Sequence, residues 1–294
     1  MNKRALLSLT FIIILCIAGI AVFSSNQTSY DNMKEQSEID NLQEAANTST
    51  TENTTIPGRG FSGVLYEVPN MDNVEVVKNI EYKEDRISNL SLDIYYPSDK
   101  KPEDNNSPIV FVHGRAQGMS NLKDHDFYTS WARLVAASGH TAITFNWRSD
   151  FPDDVLDLLS YIRQNSNDLG IDPDNISVFM FSAGVHPTCR RISQEGMEYI
   201  DGIIAYYGKI PESILENYTP SNLPPIFIAE AANDAPSLHN NYFISKGLET
   251  GYDITHMVHS TADHAFDMHN DDDETKKIIE KTLEFIDKIK KNHI

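Results

Sequence analysis

The sequence predicts an α/β fold, a mostly parallel sheet wound with helices on both sides and opened by an antiparallel strand pair. Two observations carry this reading. From residue 109 onward, short continuous apolar runs alternate with helix-period segments; strands that are apolar on both faces are those buried between layers of helix. Ahead of them, Val74–Tyr82 and Leu90–Tyr96 alternate apolar and polar side chains instead, and Pro97 stops the second run, which suggests an antiparallel opening pair.

At the start of the chain, Asn2-Lys3-Arg4 is basic and Ala5 to Phe23 is nearly all apolar. That length lies at the border between a long signal peptide and a short membrane span. Val22 and Ser24 supply small residues at −3 and −1 for cleavage after Ser24, and an uncleaved anchor fits equally. Lipid attachment at Cys16 is disfavoured by the bulky Leu15 before it and by the apolar run continuing past it. Each of these fates puts the bulk of the chain outside the cytoplasm. Residues 25–60 are polar and poor in aromatic side chains. Such a segment cannot bury enough apolar surface to order itself and reads as a flexible tether. The expected organisation is therefore a signal peptide or anchor over 1–24, a tether over 25–60 and one folded domain over 61–294.

Within that domain the strand-like runs are Ile109–Val112, Thr141–Asn146, Ile176–Met180, Gly202–Tyr207, Pro225–Ala229 and Asp253–Val258. Helical patterns cover Phe127–Ser138, Asp153–Asn167, Ala183–Glu195, Ser237–Glu249 and Glu274–Lys291. Sheets of this kind bind ligands beyond the carboxyl ends of their strands. The chain has two cysteines. Cys189 has no partner inside the domain, so no intrachain disulfide staples it, and its place within a helix reads as a small core residue. A net charge of −19 repels phosphate backbones and argues against nucleic-acid binding. It favours a neutral or cationic partner without naming a substrate.

Chemistry concentrates at Met180-Phe181-Ser182-Ala183-Gly184. A serine at a sharp strand-to-helix turn is exposed at the sheet's edge, and the small residues after it free a backbone N–H for an oxyanion. A serine hydroxyl needs a base in reach, and the base needs an orienting acceptor. Asp234 follows the strand Pro225–Ala229 in a polar turn, and His264 follows the last strand in Ala262-Asp263-His264-Ala265-Phe266. All three fall at carboxyl ends of strands, where they can converge. His113-Gly114-Arg115-Ala116, after the strand Ile109–Val112, is placed to give a second N–H. The expected oxyanion donors are the backbone N–H groups of Arg115 and Ala183.

This arrangement resembles the α/β-hydrolase superfamily, and within it the esterases grouped with dienelactone hydrolases and the acetyl-ester and feruloyl-ester hydrolases. The resemblance spans roughly Val74 to Ile289. It rests on Leu92-Asp93-Ile94-Tyr95-Tyr96-Pro97, the His113-Gly114 turn, Leu169-Gly170-Ile171-Asp172-Pro173, the Ser182 turn, Asn233-Asp234 and Asp263-His264-Ala265-Phe266. It implies a Ser182–His264–Asp234 triad and no cofactor. Three features depart from the similar esterases. Met180 replaces the first glycine of the turn, Arg115 and Ala116 stand where further glycines are common, and Asn146-Trp147-Arg148 runs almost directly into the helix at Asp153, which suggests an open site without a cap.

Simpler readings stand beside these. Ser182 is also a good helix N-cap residue, and Asp234 is also an ordinary turn aspartate, with Asn233 beside it and Glu230 as a rival acid. His256, His259, His264 and His269 cluster in sequence. His256 and His259, three apart in a strand, point to opposite faces, which disfavours a metal site, and no helical His-Glu-x-x-His pattern is present. His113 reads as structural. The run Asp271-Asp272-Asp273-Glu274 lacks EF-hand spacing and suits the positive end of the last helix. The function that follows is a membrane-tethered or secreted serine carboxylesterase acting on a small-molecule or polysaccharide-linked ester. A catalytically inactive binding module on the same fold is the alternative, motivated by Met180 and Arg115. A peptidase is disfavoured because no separate gating domain is visible.

Overall fold

Eight strands form one sheet in the order β1-β2-β4-β3-β5-β6-β7-β8. The computed structural model describes residues 63–84, 89–98, 106–114, 122–148, 152–234 and 240–291. All of these lie in one compact unit, Arg59–Ile294. The leader and tether expected over 1–60 lie outside the described residues. β1 (Glu75–Lys83) and β2 (Leu90–Tyr96) pair antiparallel, as their alternation predicts. β2 also pairs antiparallel with β4 (Thr141–Phe145). Every other neighbouring pair is parallel, through β3 (Pro108–Val112), β5 (Ile176–Phe181), β6 (Ile200–Tyr206), β7 (Ile226–Ala231) and β8 (Ile254–His259). Each strand lies within two residues of its expected place.

The two-residue strand period sorts the core into two layers. Val110, Val112, Val178 and Met180 face one side with Val155, Leu158, Val185, Cys189 and Phe243. These come from helices α2 (Asp153–Gln164), α3 (Val185–Glu195) and α4 (Asn241–Thr250). Ile109, Phe111, Phe179 and Phe181 face the other side with Trp131, Leu134, Ile278 and Ile286, carried by α1 (Asp126–Ala137) and α5 (Asp273–Lys291). The middle strands are buried along their whole length, which explains their uninterrupted apolar sequences.

Two helix boundaries differ from expectation for visible reasons. The pattern over Asp153–Asn167 breaks at Asn165, whose side-chain amide donates to the carbonyl of Tyr161 at 2.8 Å. A separate short helix, Ser166–Leu169, follows and ends at Gly170 with φ +59°. The segment expected to be helical from Ser237 begins at Asn241; residues 235–239 lie outside the described set. At the head of α5, Asp272 accepts from the backbone N–H of Thr275 at 2.8 Å, so the acidic run serves as the helix cap that its sequence suggests.

A buried ion pair ties the edge strands to the approach of α1. Lys123 donates to Asp93 at 2.8 Å, and both are almost wholly buried. Asp93 also accepts from the backbone N–H of Asn79 at 2.8 Å. Asn79 has φ +58° and sits where β1 shifts register, a bulge the carboxylate satisfies. On the other layer, Asp154 at the start of α2 binds both Arg148 and Lys83. That pins the short Asn146-Trp147-Arg148 connection directly to the helix.

Candidate active site

Ser182 occupies the left-handed region, with φ +52°. A non-glycine residue there is strained, and such strain persists only where the surroundings enforce it. The enforcement is visible. Phe181 ends β5 as extended chain, Ser182–Gly184 forms a single 3-10 turn, and α3 starts at Val185. A Cβ on Gly184 would lie 2.7 Å from the carbonyl oxygen of His113, and one on Gly208 would lie 2.5 Å from the carbonyl oxygen of Ser182. The turn is thus wedged between the segments that follow β3 and β6, and glycine is the only residue each contact admits.

His264 reaches both partners. Its Nδ1 lies 2.6 Å from Oδ2 of Asp234, and its Nε2 lies 2.9 Å from Oγ of Ser182. With the proton on Nδ1 and donated to the carboxylate, Nε2 is left to accept from the serine hydroxyl. The His264 side chain is 43% exposed and that of Asp234 is 8% exposed. The imidazole therefore faces solvent while the carboxylate beside it is sheltered. Asn233 does not compete for this place. Its backbone N–H and side-chain amide donate to the carbonyls of Ala262 and Thr261 at 3.1 and 2.8 Å, so it ties the Asp234 turn to the His264 turn. Glu230 is occupied elsewhere: it meets His256 at 2.7 Å and accepts from Asn240 at 2.8 Å. Asn240 in turn binds the carbonyl of Gly208 and the N–H of Ile210, which holds the segment behind Ser182.

His256 and His259 have carboxylates of their own, Glu230 and Asp272. His259 pairs with Asp272 at 3.0 Å and packs on Phe266, while His256 shares the opposite face of β8 with Ile254. His113 is buried, its Nδ1–H donates to the carbonyl of Gly114 at 2.8 Å, and burial holds its pKa down at about 4. That fits a structural role for a neutral ring.

Of the two expected oxyanion donors, Ala183 is exposed immediately after Ser182, and Arg115 lies outside the described residues. Gly114, just before it, lies against the serine: a Cβ there would be 3.1 Å from Cβ of Ser182. Its N–H donates to the hydroxyl of Tyr128 at 2.9 Å. Tyr128 was not singled out from the sequence, since its spacing marks it only as an apolar-face residue of α1. Two other unforeseen residues lie behind His264. The ring of Tyr207 packs on His264 with centroids 4.6 Å apart, and the Tyr207 hydroxyl donates to Asp267 at 3.0 Å.

Met180 fits where a glycine was expected. It is buried, its strand partner is the small Ala205, and its Sδ lies 3.7 Å from Sγ of Cys189. Burial pushes the Cys189 thiol up to about 12, consistent with an inert packing role. On its other side β3 pairs Met180 with Val112, so small and medium-sized neighbours accommodate the side chain.

A family model, BD-FAE, matches residues 92–260, more than half of the sequence. The chain belongs to the BD-FAE family. Its members are esterase-like α/β-hydrolases, and the match runs from the Leu92-Asp93 strand through the Ser182 turn to the end of β8. No curated protein matches the sequence. Among solved structures, this BD-FAE chain is similar to native Thermogutta terrifontis esterase 2, with 20% identity, TM-score 0.59 and coverage of 75% of this chain and 94% of that one. It is equally similar to the same esterase with butyrate bound, at 21% identity, TM-score 0.57 and the same coverage. The form phosphorylated by paraoxon gives 21% identity and TM-score 0.57 over 74% and 93% of the two chains. At such identities the likeness establishes the α/β-hydrolase fold of this BD-FAE protein.

Proposed function

We propose that the chain is a serine carboxylesterase that works through an acyl-enzyme, with Ser182, His264 and Asp234 as its triad. The single observation that carries the reading is the hydrogen-bond chain from Asp234 Oδ2 to His264 Nδ1 and from His264 Nε2 to Ser182 Oγ, ending on a serine held at φ +52°. In the proposed reaction Ser182 Oγ attacks the ester carbonyl as its proton passes to Nε2. The backbone N–H groups of Ala183 and Arg115 receive the oxyanion. His264 then gives the proton to the leaving alkoxide, and the same residue activates the water that frees the acid. Asp234 holds the tautomer and stabilises the imidazolium. The experiment is hydrolysis of a short p-nitrophenyl ester by the purified domain, and a complete lack of turnover would sink the assignment.

An inactive binding module draws its support from Met180 and Arg115; the small Ala205 and Cys189 beside Met180 weaken the first, and Arg115 lies outside the described residues. Met180→Gly is expected to lower stability by about 2–5 kcal/mol through the cavity it leaves, with further loss from glycine's freedom in the unfolded chain. Ester turnover at low temperature is expected to stay near normal. Thermal melts and turnover on the same pair of proteins check this; a large gain in turnover with unchanged stability would favour the inactive-module reading instead.

The basic opening and apolar run before Ser24 support a place outside the cytoplasm, secreted or tethered to a membrane. Among the described residues no helix is long and apolar enough to cross a membrane. Protease added to intact cells is expected to release a domain that begins between Ser25 and Gly60, and recovery of the whole chain from the cytosol would contradict it. The substrate class proposed is a small-molecule or polysaccharide-linked ester.

A further inference from the structure

Asp267 is a buried carboxylate with no described cation beside it. It is fully buried, and it follows His264 by one turn of chain: Ala265 has φ +58°, and the short helix Phe266–His269 begins immediately afterwards. Each of its oxygens accepts from a side chain. Trp131 Nε1 of α1 donates to Oδ2 at 2.8 Å and the Tyr207 hydroxyl donates to Oδ1 at 3.0 Å. Its backbone carbonyl accepts from the N–H of Leu65 at 2.9 Å. Neutral donors alone do not offset the cost of removing a carboxylate from water, which a nearby positive charge ordinarily repays. Burial accordingly raises Asp267 to about 6, while the Trp131 and Tyr207 donors, its own backbone N–H and the charge of His264 pull it back down.

Tyr207 connects this carboxylate to the site. It directly follows β6 with φ +38°, a backbone region that a bulky residue avoids. Its N–H donates to the carbonyl of Ala229 at 2.8 Å, and its hydroxyl donates to Asp267. Held at both ends, its ring lies at 60° to the His264 ring, 4.6 Å between centroids. The His264 side chain is 43% exposed; Asp234 and Ser182 meet its ring nitrogens, and the Tyr207 ring packs on it from beside.

We propose that Asp267 is a positioning residue for His264, fixing the imidazole through the Tyr207 ring and adding a second negative charge that favours the imidazolium formed when Ser182 loses its proton. The inference rests on the serine-hydrolase reading above. Asp234 orients the ring along its edge, at Nδ1; Tyr207 limits it from its face. The ionisable groups around the pair are Asp234 from the turn after β7, Tyr206 and Tyr207 at the end of β6, Tyr128 from α1, and His269 on the same short helix. Burial raises each tyrosine above its ordinary value and keeps it neutral, so the acidic side chains next to the ring are the two carboxylates.

Asp267→Asn tests the charge and Tyr207→Phe tests the link. An asparagine presents one acceptor to two donors, so one bond is lost; phenylalanine keeps the ring against His264 and deletes only the hydroxyl. The readouts are kcat and KM on a p-nitrophenyl ester, the rate at which a fluorophosphonate labels Ser182, and the pH profile of kcat/KM. For Asp267→Asn, kcat and the labelling rate are expected to fall on the order of 10- to 100-fold, as small misplacements of a reacting group do. KM is expected to change little, and the acid limb is expected to move to lower pH, since less negative charge favours neutral imidazole. Tyr207→Phe should act in the same direction to a smaller extent. The double variant should be no worse than Asp267→Asn alone, because the two lie on one path. A folded Asp267→Asn or Tyr207→Phe with wild-type labelling and an unmoved acid limb would overturn the proposal, and Tyr207→Phe decides by itself if Asp267→Asn does not fold. A wild-type protein that takes no label overturns the serine-hydrolase reading and this one with it; a labelled wild type with unaffected variants overturns only this one.

Discussion

Ser182→Ala is expected to lower kcat on the order of 10⁴- to 10⁶-fold, and His264→Ala by a similar amount. The serine supplies the attacking oxygen and the histidine moves its proton, so neither step proceeds without both. The double variant is therefore expected to be no slower than either single one. Stability should respond weakly to His264→Ala, because the side chain is exposed. Ser182→Ala leaves the φ of +52° to be held by alanine, and the contacts of Gly184 and Gly208 that impose it stay in place. Turnover of a short ester and thermal melts of the three variants check this. Multiplying losses in the double variant would show that the two residues do not act as one unit.

Asp234→Asn is expected to lower kcat on the order of 10³- to 10⁴-fold while Glu230→Gln spares it within a few fold. An asparagine amide that donates to Nδ1 forces the ring proton onto Nε2, where it blocks acceptance from Ser182. Glu230 instead binds His256 and Asn240. Its replacement weakens bonds to a buried group, costing about 1–3 kcal/mol of stability. Kinetics of the two variants separate the acids that the sequence leaves as rivals. Equal losses in both would mean that Glu230 holds the histidine in solution.

The fold was legible because strand burial leaves a direct mark. Uninterrupted apolar runs such as Ile176–Phe181 give buried parallel strands, and the alternating run that becomes Glu75–Lys83 gives the exposed antiparallel edge, paired to the almost wholly buried Leu90–Tyr96. The Ser182, Asp234 and His264 positions were legible because each follows a strand that the pattern already locates. Glu230 was separable only in space, since it sits four residues from Asp234 but meets His256. Asp267 and Tyr207 left no sequence signal beyond their nearness to His264 and to the end of β6. A buried carboxylate is known by what surrounds it, and Trp131, its partner, lies 136 residues away. The break at Asn165 also depends on a side chain turning back to its own helix, which the apolar period does not record.

The central claim is that the Ser182 hydroxyl is the nucleophile. Treating the wild-type protein with a fluorophosphonate and mapping the modified peptide by mass spectrometry tests it most directly. A single adduct on Ser182, lost in Ser182→Ala and much slowed in His264→Ala, is the predicted result. An adduct on another residue, or no adduct in a folded protein, would contradict the account.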